Sequence, residues 1–178
     1  MKISQWQVSG VGPWALGKRD HLIYIIGYTD TSAAMISPQR IADVLGGSQV
    51  LGRRLASVHA LGEAVSKGLP KAALRQTAGR IFDKKAEQRQ FMNRIVPEAT
   101  FKRRRDRLSA GESERTERVA RVLASAEYVW SDRKDARQFL TTPHPALRGR
   151  TPLDAAMTEL GARQVEELLE KIFHGLPA

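Results

Sequence analysis

From Ser37 onward, apolar residues recur three and four positions apart, the spacing that gathers side chains on one face of a helix. Ser37-Pro38 predicts a helix start, because the serine oxygen can accept from free first-turn amides and proline suits the first helical position. Ile41, Val44 and Leu45 follow before Gly46-Gly47 ends that short helix. A second stripe, Leu55, Val58, Leu61 and Val65, tolerates Gly62 and stops at Gly68, and Leu69-Pro70 opens a third with Leu74, Ala78 and Ile81 on one face. The pattern then predicts helices over 86–95 and 98–107, parted at Val96-Pro97, where the residue before proline is pushed out of the helical region. Two short helices joined by so tight a connection are a helix-turn-helix.

Ser109 and Glu112 have the spacing of a capping box, in which each side chain satisfies the other's free amide, and they start a long helix with Val119, Val122, Leu123, Ala126 and Val129 as its buried stripe. After Ser131 a short helix carries Ala136, Phe139 and Leu140. Two prolines and a glycine make residues 143–150 an irregular loop between helices. Thr151-Pro-Leu-Asp154 restarts the chain with an N-cap threonine, and Leu153, Ala156, Met157 and Leu160 predict a helix that Gly161 stops. A final amphipathic helix sets Val165, Leu168, Leu169, Ile172 and Phe173 on one side and mostly charged residues opposite, ending at Gly175 and Pro177. No strand is needed after Met35, so the fold class is all-α. Residues 1–35 show no helical period and are expected to be an unassigned arm or a small hairpin, with Met35 an alternative start.

Composition narrows the function. The longest apolar run, 22–26, is far short of the roughly 20 residues that span a bilayer, and no compact signal peptide is visible. A cytoplasmic protein without membrane contact is therefore expected. Absence of cysteine excludes disulfides and thiolate metal sites. His21, His59, His144 and His174 have no ligand-like spacing and are expected at the surface or half-buried. No nucleophile motif, phosphate-binding glycine loop or paired carboxylate appears, so neither catalysis nor a cofactor is expected, and no metal.

Charge is the informative property. The chain holds 29 Lys and Arg against 19 Asp and Glu, a formal +10. Residues 1–125 carry 22 basic and 11 acidic side chains, whereas 126–178 carry 7 and 8. A cationic excess confined to the part that contains the helix-turn-helix points to a polyanion there, and a neutral tail suits a protein partner. Lys102, Arg103, Arg104, Arg105 and Arg107 form the densest cluster, placed on the second helix of the motif, with Arg115, Arg118 and Arg121 extending the positive surface. Arg can bind guanine through two parallel hydrogen bonds, while Lys meets phosphate as a point charge, so one or two of these would read bases and the rest would position the protein. The alternative is a solvated charged face on a bundle helix. The loop 143–150, long for a helix-to-helix joint, presents Leu147, Arg148 and Arg150 around Gly149 and suits either binding or plain connection.

Four motifs occur in order: Thr100-x-x-Arg-Arg104, Leu108-Ser-x-x-Glu-Ser-x-Arg115, Ala146-Leu-x-Gly-x-Thr-Pro-Leu153 and Gly161-Ala-x-x-Val-Glu166. Through them residues 37–175 resemble the Xre, MbcA and ParS family of type II antitoxins. The resemblance implies an Xre-like helix-turn-helix bundle followed by a small helical toxin-binding domain, here a DNA-binding and dimerisation region over 37–125 and a partner domain over 126–178. It implies two macromolecular partners, a RES-domain toxin that attacks NAD and the promoter DNA of the shared operon, with a homodimer inside the complex. Carried over by position, Thr100, Arg103 and Arg104 fall on the recognition helix. Leu147, Gly149, Thr151, Pro152 and Leu153 fall on the signature that opens the toxin-binding domain, and Arg148 and Arg150 join them as candidate toxin contacts. Phe139 stands where the family commonly has Trp, His144 where Asn is usual, and Ala155-Ala156 where larger aliphatics are frequent. Two other readings are a stand-alone helix-turn-helix repressor, which the neighbouring gene would separate, and a structural module whose basic face is only solvation.

Overall fold

The computed structural model describes residues 37–176, and the arm or hairpin expected over 1–35, His21 included, lies outside them. Among the described residues the chain forms ten α-helices, one 3-10 turn and no strand. These are α1 (Pro38–Val44), α2 (Gly47–Leu51), α3 (Val58–Ser66), α4 (Lys71–Ile81), α5 (Lys85–Ile95), α6 (Glu98–Arg103), α7 (Ala110–Trp130), α8 (Arg133–Thr141), the turn Pro145–Leu147, α9 (Pro152–Ala155) and α10 (Glu159–Phe173). Helix α7 is the spine, touching α1, α3, α4, α5, α8 and α10, and its expected stripe of Val119, Val122, Leu123, Ala126 and Val129 is buried. Its N-terminus is closed by the capping box, with the Ser109 amide donating to Glu112 Oε2 at 2.7 Å and the Glu112 amide to Ser109 Oγ at 3.3 Å. The boundary read at 125/126 falls inside this helix, and one contiguous core takes residues from both sides of it.

Several local expectations are corrected. Ser37 precedes α1 without a side-chain cap. Helix α2 carries no fully buried residue, and no periodicity announced it. Gly161 does not stop a helix. It lies in the first turn of α10, where its amide donates to the N-cap Thr158 Oγ1 at 3.1 Å, and Leu160 is 71% exposed.

The helix expected over 98–107 ends at Arg103. Residues 104–108 run extended beside the α3–α4 turn. The Lys71 amide donates to the Asp106 carbonyl and the Leu108 amide to the Leu69 carbonyl, both at 2.8 Å, around an antiparallel bridge between Pro70 and Arg107. A helical continuation would need those backbone groups for its own ladder. Gly68 makes the contact possible, since it adopts φ +88° and a Cβ there would sit 2.4 Å from the Leu108 carbonyl oxygen.

Candidate DNA-binding and partner-binding surfaces

Helix α5, the turn at Val96-Pro97 and α6 form a two-helix unit anchored by buried Phe91, Ile95, Val96 and Phe101. Helix α6 buries only Phe101. Thr100 is half-buried, leaving Glu98, Ala99, Lys102 and Arg103 as one exposed face. Behind the helix, Lys71 Nζ lies 4.6 Å and the Arg75 guanidinium 5.2 Å from the centroid of the Phe101 ring, so two cations of α4 pack against the buried side of α6. Within the face, Lys102 Nζ pairs with Glu98 at 2.7 Å, and that ammonium holds the Glu98 carboxyl below its ordinary value.

The five basic-cluster positions separate into different environments. Lys102 and Arg103 are exposed on α6. Arg105 and Arg107 are exposed but lie on the extended segment, not on the helix, and Arg107 Nη1 donates to the Gly68 carbonyl at 2.7 Å. Arg104 is a strut. Its Nη2 donates to Glu112 Oε1 at 3.1 Å, while its carbonyl accepts from Lys71 Nζ at 2.8 Å, which fixes the end of α6 to both α4 and α7. Burial alone would raise the Glu112 carboxyl, but the Ser109 amide and Arg104 more than offset it and hold it below the ordinary range.

Arg118 and Arg121 do not extend the positive surface. Their side chains are 15% and 17% exposed and face α10. Arg121 reaches Glu166 at 3.0 Å, Glu159 at 3.2 Å and Glu117 at 3.5 Å, and Arg118 reaches Glu159 at 2.9 Å. Arg115 stays exposed, its Nε donating to the Gly111 carbonyl at 3.2 Å. Charge counted along the sequence as surface potential is thus partly spent inside the molecule, tying α7 to α10. Sequence reasoning passed over Glu98 and Ala99. The signal was present, since Glu98 and Lys102 stand one helical turn apart and Phe101 is the only large apolar residue between Pro97 and Leu108.

The loop after α8 is compact. The His144 amide donates to the Arg150 carbonyl at 3.0 Å and the Gly149 amide to the His144 carbonyl at 3.1 Å, which closes its base. Leu147 and Pro152 are buried, so these two candidate contacts hold the loop from below. Thr151 caps α9, accepting from the Asp154 amide at 3.0 Å and donating to Asp154 Oδ2 at 2.6 Å. Arg150 Nε donates to the Leu147 carbonyl at 3.3 Å and Nη2 to Gln164 at 3.3 Å. Arg148, at φ +57°, and Gly149 are exposed and form the tip. A groove of about 220 Å³ separates this region from α5; Arg94 crosses it to Asp154 at 2.7 Å, and Phe82, Phe91 and Leu153 line it.

His144 is 3% exposed, against the expectation of a surface or half-buried residue. Its Nδ1 accepts from the Ala146 amide at 3.1 Å, the role an asparagine oxygen would fill, and its ring packs edge-on against Phe139. Burial holds the imidazole below its ordinary 6.5. A lowered folded-state value means the unfolded chain binds the proton more readily, so stability is present above about pH 6.5 and is lost as pH falls below it, by at most about 1.4 kcal/mol per pH unit. His144→Asn keeps the acceptor and removes the titration. Urea denaturation at pH 7 and pH 5 should show a wild-type loss that this variant lacks; equal slopes would refute the assignment.

No described helix is long and apolar enough to cross a membrane, and the described residues hold no cluster of potential metal ligands. What the geometry defines is an all-helical class, in which a helix-turn-helix unit leads through a shared spine into a second helical region. Residues 60–121 match the antitoxin Xre-like helix-turn-helix domain, and residues 125–175 match the antitoxin Xre/MbcA/ParS C-terminal toxin-binding domain. The chain is also similar to antitoxin Xre of Pseudomonas putida (strain KT2440), 36% identical over 86 residues that cover 47% of this chain and 54% of that protein. The match thus spans about half the length of the curated relative. The two matched stretches together take in more than half of the chain, which belongs to the Xre/MbcA/ParS family of antitoxins.

Proposed function

We propose that this antitoxin represses its own operon in the cytoplasm by seating α6 in the major groove of promoter DNA, and that its C-terminal region neutralises a RES-domain toxin by direct contact. The observation that carries the first half is the exposed face of α6, where Lys102 and Arg103 stand clear of the core beside Arg105 and Arg107. Arg103 is the base-reading residue. Lys102, Arg105 and Arg107 meet phosphates, while Arg104 acts by positioning. Dimerisation brings two such helices to the two half-sites of one operator. For the toxin, the tip formed by Arg148 and Gly149 with Arg150 is exposed and within reach of a partner, and a cationic tip suits a pocket built for the phosphates of NAD. No step of this function calls for catalysis by the antitoxin itself.

Titration of a promoter fragment at several salt concentrations tests the DNA half. Arg103→Ala should weaken binding by about 1–3 kcal/mol at the cognate site, and Lys102→Ala should lower affinity for all sequences and reduce the salt slope by about one. Binding insensitive to salt would refute the electrostatic basis. Co-expression with the neighbouring gene product tests the other half. Copurification supports it, and a product that neither copurifies nor is neutralised leaves a stand-alone repressor.

A further inference from the structure

We propose that Glu98 is a specificity-determining residue that reads cytosine, accepting a hydrogen bond from its exocyclic amine in the groove that receives α6. The inference rests on the DNA-binding reading above and deepens it. Helix α6 is six residues long, and with Phe101 inside and Thr100 half-buried, whatever it places against base edges comes from Glu98, Ala99, Lys102 and Arg103. One of those four is a carboxylate. On a surface that approaches a polyanion, an unpaired carboxylate repels every phosphate alike and contributes nothing to affinity. Here Lys102, one turn away at 2.7 Å, compensates it and keeps two further N–H donors for a phosphate, so the carboxylate can face the bases without net repulsion.

The chemistry of the base edges selects the ligand. Glu98 is held ionised by its partner and is therefore an acceptor only. In the major groove guanine offers two acceptors and thymine an acceptor and a methyl group, none of which a carboxylate can bind. Adenine offers a donor beside the N7 acceptor, a pair that fits the amide of Asn or Gln and repels a second carboxylate oxygen. Cytosine offers its amine with no acceptor of its own on that edge. Ala99, adjacent on the face, has only a methyl group and does not compete for the amine.

Selection of bound duplexes from a randomised pool, run in parallel on the wild-type chain, Glu98→Ala and Glu98→Gln at one salt concentration, tests this. Wild type should enrich cytosine at one fixed position. Glu98→Ala should lose that preference and keep the others, binding random duplex severalfold more tightly because a negative charge has gone. Glu98→Gln should move the preference to adenine. Matched melting temperatures would establish that both variants are folded, and Gln, which differs from Glu by one terminal group, keeps the test valid if Ala alone disturbs α6. Identical selected sequences for wild type and both variants would overturn the role of Glu98 and leave DNA binding intact. Salt-dependent wild-type binding without any enriched sequence would overturn it too. A wild-type chain that binds no duplex at all would instead remove the DNA reading beneath it.

Discussion

Arg121→Ala should destabilise the chain by about 2–4 kcal/mol, the largest single-residue effect expected here. The residue is 17% exposed and forms ion pairs with Glu166, Glu159 and Glu117 together. Removing one member of a buried ion pair commonly costs about 3–5 kcal/mol, because the partner keeps its desolvation and loses its compensation. Glu159 is 49% exposed and can return to water, which moderates the figure. Glu117 and Glu166 cannot, and burial already raises both carboxyls above their ordinary value, against the pull of Arg121. Without the guanidinium they rise further. A raised folded-state value means that the folded chain binds protons the unfolded chain releases, so the penalty grows as pH rises past the ordinary carboxylate range and shrinks as pH falls. The defect, read from urea denaturation of variant and wild type, should therefore be larger at pH 8 than at pH 5. Any contribution from His144 is common to both proteins and cancels in the difference. A defect independent of pH would mean that Arg121 acts through packing of its stem and not through charge.

The same network marks where a sequence stops being readable. Elements defined by neighbours in the chain were legible: the box at Ser109 and Glu112, the threonine cap before α9, the stripes of α4, α7 and α10 and the break at Val96-Pro97 all follow from groups within four residues of one another. What was not legible depends on partners far along the chain. Helix α6 ends early because the backbone of 106–108 is bonded to Leu69 and Lys71. Arg118 and Arg121 look like surface cations until α10 folds back over them, and Arg104 looks like a DNA contact until Glu112 is seen to hold it. For the candidate site the consequence is specific. The KRRR run begins on α6, but the exposed face of that helix is shared with Glu98 and Ala99, and only Lys102 and Arg103 of the run belong to it. His144 shows the same limit in reverse, because a side chain that caps its own loop is local chemistry, yet its burial is set by Phe139 and the rest of the core.

Gly161 supplies a sharper test of packing, since one substitution changes sign between two glycines. In a helix, alanine is favoured over glycine by about 1 kcal/mol. At Gly161 a Cβ would lie 2.1 Å from the Ala155 carbonyl oxygen, 2.8 Å from its carbon and 2.9 Å from Thr158 Oγ1. Two of these are backbone atoms at the end of α9 that cannot rotate away, and the third is the oxygen that caps α10. Overpacking of this kind costs about 1–3 kcal/mol, and disturbing the cap adds about 1 kcal/mol, so the clash outweighs the propensity gain. Gly161→Ala is expected to lose about 1–3 kcal/mol. Gly62 lies in α3 with nothing within 4 Å of the position a Cβ would take. There the propensity acts alone, and Gly62→Ala should stabilise the chain by about 0.5–1 kcal/mol. Chemical denaturation of the two variants beside wild type measures both. If Gly161→Ala proved as stable as wild type, the close approach of α9 to the first turn of α10 would be wrong, and with it the geometry that places Glu159 and Glu166 against Arg121.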